Sequence, residues 1–274
     1  MKLKFKTKIA IIGKLPPVIA GNPLLGNPFL LLPVLAIVVG EFLIFYSRPL
    51  SGLAIHIFNL QVVALVVIFG RISELEKNVL QSLILLLLLR LVNLSLPQFF
   101  TLTLLWYPLI YGVMFLPVYQ VIHHQNITLE ELGVTSRRLW VYIPLGLVLG
   151  GIYSLLEYFI IHPQPLILVL TPSNLALVTL VMTFFVSLVE ELIFRSILLT
   201  RLEQLLGTPG AIFVSGLLFA VMHSGYRLYL EIFYALLAGL LLGYSFHRTR
   251  SLPMVVTLHA TTNILLFGVL PFKF

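Results

Sequence analysis

The stretch "SLVEELIFRSILL", Ser187 to Leu199, sets two adjacent glutamates and an arginine in an otherwise apolar run. Glu191 and Arg195 stand four apart, on one helical face, in the acidic-then-basic order that suits an ion pair. Glu190 is turned from them by about 100° and can point elsewhere. Downstream, "FAVMH" spaces Phe219 and His223 by four, and "HATTN" spaces His259 and Asn263 by four. A carboxylate and an imidazole can hold and deprotonate a water, while an imidazole N–H and an amide N–H can donate to the oxyanion of a tetrahedral intermediate. Taken singly, each piece has a plainer use: Glu191 with Arg195 as charge neutralisation, each histidine as a packing residue, Asn263 as interhelical glue. Taken jointly, they read as a hydrolytic site.

The elements that must position these residues lie in lipid. The chain is 59% hydrophobic and only 10% charged, with a mean hydropathy of +1.07, where soluble domains carry roughly 25% charged residues. A bilayer admits helices or closed barrels, and runs such as "LILLLLLRLV" favour helices over period-2 alternation. The expected fold is an all-α polytopic membrane protein with about nine transmembrane helices, at 29–46, 51–70, 79–96, 101–122, 139–161, 174–199, 209–223, 228–247 and 252–271. Its catalytic core lies in the last four. With the N-terminus cytoplasmic, the inner segments carry the lysines of the arm together with Arg71, Lys77, Arg137, Arg138, Arg201, Arg248 and Arg250, against Arg48, Arg227 and Lys273 outside. The formal charge of +7 is thereby read as topology, with no nucleic-acid partner.

The chain divides into a cytoplasmic basic arm (1–28), N-terminal transmembrane helices (29–122), a cytoplasmic connector (123–138) and a transmembrane region (139–274) holding the core at about 173–270. The connector, "HHQNITLEELGVTSRR", is amphipathic enough for a short surface helix, whereas the proline-bracketed "HPQPLILVLTPSN" reads as a loop or re-entrant piece. Gly146/Gly150 and Gly239/Gly243 offer close helix packing.

Elimination narrows the chemistry. There is no cysteine, so thiolate nucleophiles and disulfides are excluded, and the ten acidic residues are all glutamates, which excludes an aspartyl protease. No histidine precedes a glutamate, so the HExxH zinc helix is absent.

"EELIFR", "FAVMH" and "HATTN" resemble the EExxxR, FxxxH and HxxxN/D signatures of the CAAX protease and bacteriocin-processing family, the type II CAAX prenyl endopeptidases and their Abi-like relatives. The likeness covers about Ser173 to Leu270. It implies a glutamate-dependent intramembrane endopeptidase with a conical cavity open to the cytosol and to lipid. Carried over residue by residue, Glu190 and His223 would activate the water, His259 and Asn263 would form the oxyanion hole, Glu191 and Arg195 would support the site, and Phe219 would pack beside it. No cofactor is expected. The alternative is a divalent metal such as zinc on Glu190, His223 and His259, but zinc typically takes three protein ligands, and that use would leave the base to Glu191. The partners implied are the lipid bilayer and a membrane-associated peptide or lipidated protein as substrate, for a multi-pass protein of the cell membrane.

Two other functions compete. A proton- or ion-coupled transporter would draw on Glu41, His56, Arg90, Glu157 and Glu231, most of which lie near a span end or have a partner to pair with, so that snorkelling otherwise explains them. A noncatalytic bacteriocin-immunity or binding module would keep the same residues. One difficulty accompanies the hydrolytic reading: straight spans leave His223 roughly 10 Å in depth from the other groups. Sharing a water requires the seventh span to start deeper, at Pro209 and Gly210, or to tilt strongly.

Overall fold

The computed structural model describes Leu24 and residues 27–95 and 104–274; the basic arm lies almost wholly outside the described residues. Those residues form helices and connecting turns. Helix α1 (Pro28–Phe45) starts on Asn27, whose side chain accepts from the Phe29 N–H, with proline at the first helical position. It folds back on α2 (Pro49–Phe69). Helix α3 (Glu74–Ser95) begins with a reciprocal capping box between Ser73 and Glu76. Next come α4 (Trp106–His124) and α5 (Leu139–Ile161).

The segment carrying the two glutamates is one long helical run of changing pitch. It starts as α6 (Pro172–Leu180), capped by Thr171, and widens to π-helix over Val181–Ser187. After an α-turn at Leu188–Glu191 it widens again over Leu192–Leu199 before entering α7 (Thr200–Val221). Helices α8 (Tyr229–Thr249) and α9 (Leu252–Gly268) complete the described fold.

Six helical stretches among the described residues are long and apolar enough to cross a membrane: α1, α2, α5, Pro172–Tyr226, α8 and Leu252–Phe272. Large side chains such as Leu32, Phe58, Leu116 and Leu147 point outward, which suits a lipid solvent and not water. The protein is an integral membrane protein. The expected segments 79–96 and 101–122 fall on α3 and α4, while 174–199 and 209–223 are the two arms of Pro172–Tyr226.

The interior is built around the π-widened run and α3. Every residue of Leu192–Leu199 is buried, and so are Leu80, Leu83, Leu86 and Leu87 of α3. At one end of the bundle the connector meets α7 and α9: Arg201 Nε donates to Gln125 Oε1 at 2.7 Å, and the Leu252 N–H to the Gly133 carbonyl at 2.8 Å. The expected surface helix there is instead a single turn capped by Thr128 and Glu131 and ended by Gly133 at φ 78°. Four residues between a cap and a left-handed glycine leave no room for a stable helix. The expected loop is a loop, and its Leu166 N–H is tied to the Phe267 carbonyl at 3.0 Å.

Helix α9 lies along α5 at very close range. A Cβ at Gly150 would stand 2.5 Å from the Leu258 carbonyl oxygen, and one at Gly146 would stand 3.1 Å from that of Met254. In the other pair only Gly239 is tight, against Gly216, while Gly243 meets Ile212 at ordinary distance. Gly150 thus sets how near the residue beside His259 comes to α5. Gly150→Ala is expected to destabilise by about 1–3 kcal/mol through overpacking, seen as a lower unfolding midpoint in detergent. Gly151→Ala, whose Cβ would meet only Leu265 at 3.9 Å, should leave the midpoint unchanged.

Candidate active site

Glu190 and Glu191 sit between the two π-helical segments, and successive residues there face different surroundings. Such widened turns recur at functional sites because they re-aim side chains without breaking the helix. Glu191 is wholly buried. Its Oε1 accepts from Arg195 Nη1 at 2.9 Å and from His259 Nδ1 at 2.7 Å. Glu190 points instead into a cavity of about 340 Å³, where its Oε1 accepts from the Tyr111 hydroxyl at 2.7 Å. Glu190 Oε2 lies 3.8 Å from His259 Nε2.

The imidazoles are oriented by what their Nδ1 atoms meet. His223 Nδ1 is 2.9 Å from the Phe219 carbonyl oxygen. A carbonyl only accepts, so Nδ1 carries the proton and Nε2 is the free base of a neutral ring. His259 Nδ1 likewise donates to Glu191, which turns its Nε2 toward Glu190. Asn263, one turn further along α9, lines the same cavity.

Phe219 joins the two groups of residues. The Arg195 guanidinium lies 4.5 Å from its ring centroid, and the His223 and His259 rings lie at 4.9 and 5.9 Å. A guanidinium over an aromatic face is stabilised by the ring quadrupole, more so when dry. This matters because Arg195 Nε and Nη2 are buried without a hydrogen-bond partner among the described residues. The expected supporting roles of Glu191, Arg195 and Phe219 thus acquire a geometry.

The difficulty over His223 is resolved by a break in the helix. At Gly207, with φ 71° and ψ 168°, the run leaves helical geometry. The arm beyond it, about 14 residues to Val221, spans only about 21 Å, less than the ~30 Å hydrocarbon core. His223 follows the end of this short arm at once in a tight turn, lining the cavity with Glu190, His259 and Asn263. Only glycine adopts that backbone freely, so the break falls just ahead of the expected start at Pro209 and Gly210.

Residues 172–265, about a third of the chain, match the family model described as type II CAAX prenyl endopeptidase Rce1-like. The match agrees with the resemblance of these motifs to the CAAX protease and bacteriocin-processing family. No curated protein and no solved structure matches the chain. The family is one of proteases, and the matched residues include all seven singled out in the sequence: Glu190, Glu191, Arg195, Phe219, His223, His259 and Asn263.

Arg90 and Asn93 of α3, Tyr107 and Tyr111 of α4, and Glu157 of α5 line the cavity from outside the matched segment. Arg90 and Glu157 stood out in the sequence only as transporter candidates, and Asn93, Tyr107 and Tyr111 carried no sequence signal. Glu157 also borders a smaller recess behind His223 and His259 that Glu231 shares. Glu41, His56, Arg90, Glu157 and Glu231 do not snorkel: all five are buried, at 8% exposure or less, and Glu41 is paired with both His56 and Arg90. Among the described residues no group of three His or Glu side chains is gathered closely enough to hold a metal ion.

Arg195 and Glu191 form a fully buried pair, and removing one partner leaves an uncompensated charge. Arg195→Ala is expected to destabilise by about 3–5 kcal/mol, measured as a drop in the unfolding midpoint of detergent-purified protein.

Proposed function

We propose that the protein is a CAAX-type intramembrane endopeptidase in which Glu190 and His223 activate a water and His259 and Asn263 stabilise the oxyanion. The observation that supports this reading is the meeting of these four side chains around one cavity, with Glu190 free of Arg195 and Glu191 bound to it. Water placed between Glu190 and the His223 free base attacks the scissile carbonyl carbon, and its proton passes to that pair. The carbonyl oxygen becomes an oxyanion that accepts from the Asn263 amide and from protonated His259 Nε2. On collapse the C–N bond breaks, and the proton held by the base leaves on the amine.

Glu191 serves here as the anion that orients His259 and favours its cation, as carboxylates do for catalytic histidines. Tyr111 holds Glu190 from the opposite helix. The proposed mechanism needs no metal. The nine-span arrangement with a cytoplasmic N-terminus belongs to the same reading, as does a substrate presented at the membrane as a peptide or lipidated protein.

The test is cleavage of a quenched prenylated CAAX peptide by detergent-purified protein, with and without a chelator. Glu190→Ala and His223→Ala should each lower kcat/KM by about 10²–10⁴-fold while leaving the unfolding midpoint near that of wild type. Full activity in Glu190→Ala sinks the reading, and loss of wild-type cleavage on chelation returns the metal. Tyr111→Phe should retain partial activity, with the loss in kcat.

The two imidazoles are assigned opposite protonation states, and this has a kinetic signature. His223 must be neutral and His259 cationic, so kcat should be bell-shaped in pH, rising as His223 loses its proton and falling as His259 loses its own. In His259→Gln the remaining activity should keep the acidic limb and lose the alkaline one, because an amide donates at every pH. An alkaline limb that survives in this variant contradicts the assignment.

A further inference from the structure

We propose that the N-terminal helices hold His223 in place through a buried ion-pair network on Ser224, which makes Glu41 and Arg90 positioning residues of the site. Glu41 of α1 accepts from Arg90 of α3 through both oxygens, Nε to Oε1 at 2.6 Å and Nη2 to Oε2 at 2.5 Å. Ser224 closes a triangle with them. Its hydroxyl donates to Glu41 Oε2 at 2.5 Å and accepts from Arg90 Nη2 at 3.0 Å. From α2, His56 Nε2 lies 3.0 Å from Glu41 Oε1. That ring fits because residue 40 is glycine, where a Cβ would come within 2.9 Å of it. All four side chains are buried.

The position of Ser224 gives the network its use. It directly follows His223 in the short turn Ser224–Tyr226 beyond the end of α7. The His223 ring is fixed to Phe219, but the turn bearing its backbone otherwise relies on local bonds, such as Tyr226 N–H to the His223 carbonyl at 3.1 Å. A turn at a helix end is where local opening costs least. The two-point arginine–carboxylate pair is complete without a hydroxyl, so charge neutralisation alone does not require Ser224. A third point on the histidine turn is what an anchor requires.

The anchor also lies outside the segment that matches the family model: Glu41, His56 and Arg90 all precede residue 172. The matched segment holds the reacting groups, while the first three helices hold one of them still. This inference rests on the peptidase reading for its catalytic consequence and on geometry alone for the anchoring.

The test uses Ser224→Ala in the full chain, because Glu41→Ala would leave Arg90 buried and unpaired. Amide exchange in a peptide spanning Met222–Arg227 should become about tenfold faster or more, with other segments unchanged. On the quenched prenylated CAAX peptide, kcat should fall about tenfold or more with KM within about twofold, since a small misplacement of a reacting group acts on the chemical step. Unchanged exchange in the turn overturns the proposal whatever the activity, and faster exchange with unchanged kcat overturns it equally. If the wild type cleaves none of the peptide, the peptidase reading falls, and the exchange result still decides whether the network anchors the turn.

Discussion

A charge inside a bilayer must find a partner of opposite sign or a use, and Glu191 finds two partners on one oxygen. Arg195 approaches from one turn along the same helical run and His259 from α9. Most of the site geometry depends on this carboxylate. It takes the His259 Nδ1–H and so fixes which way the ring faces. It also holds Arg195 where its guanidinium covers Phe219, the ring against which both imidazoles lie. The neighbouring Glu190 is then the carboxylate left over, with no arginine to claim it. Two adjacent glutamates have different surroundings because one is committed to structure.

Backbone irregularity is the second ingredient. A uniform helix from Pro172 to Val221 would carry its chain from one face of the membrane well past the other. Two π-helical stretches around Glu190–Glu191 and the left-handed break at Gly207 divide it into arms of unequal length. The shorter arm ends at Val221, so His223 arrives on a turn and not on a helix face. A polar turn buried among apolar helices needs polar partners, and here α1 and α3 provide them to Ser224 through Glu41 and Arg90.

The helices at the two ends of the chain thus have different tasks. Those after Pro172 carry the groups assigned to chemistry, and α5 sets the seat of α9 through Gly146 and Gly150. The earlier helices contribute the far wall of the cavity, including the Tyr111 hydroxyl on Glu190. Helices from both halves of the chain thus wall the cavity around its polar groups.

By itself the sequence determined the membrane class and the helical fold and singled out seven candidate residues from Glu190 to Asn263, because composition and i, i+4 spacing are local properties that survive in a linear reading. It also indicated the Glu191–Arg195 pair, which is set by one helical turn. Tertiary structure decided what depends on distant partners: that His259 is held by Glu191, that Tyr111 reaches Glu190, and that Glu41, His56 and Arg90 meet at Ser224 instead of snorkelling outward. These partners lie tens to nearly two hundred residues apart, in helices whose apolar pattern says only that they are buried. The depth of His223 was beyond linear reading for a related reason. It turns on the backbone angles of Gly207, and a glycine in an apolar run signals permission for a break without requiring one.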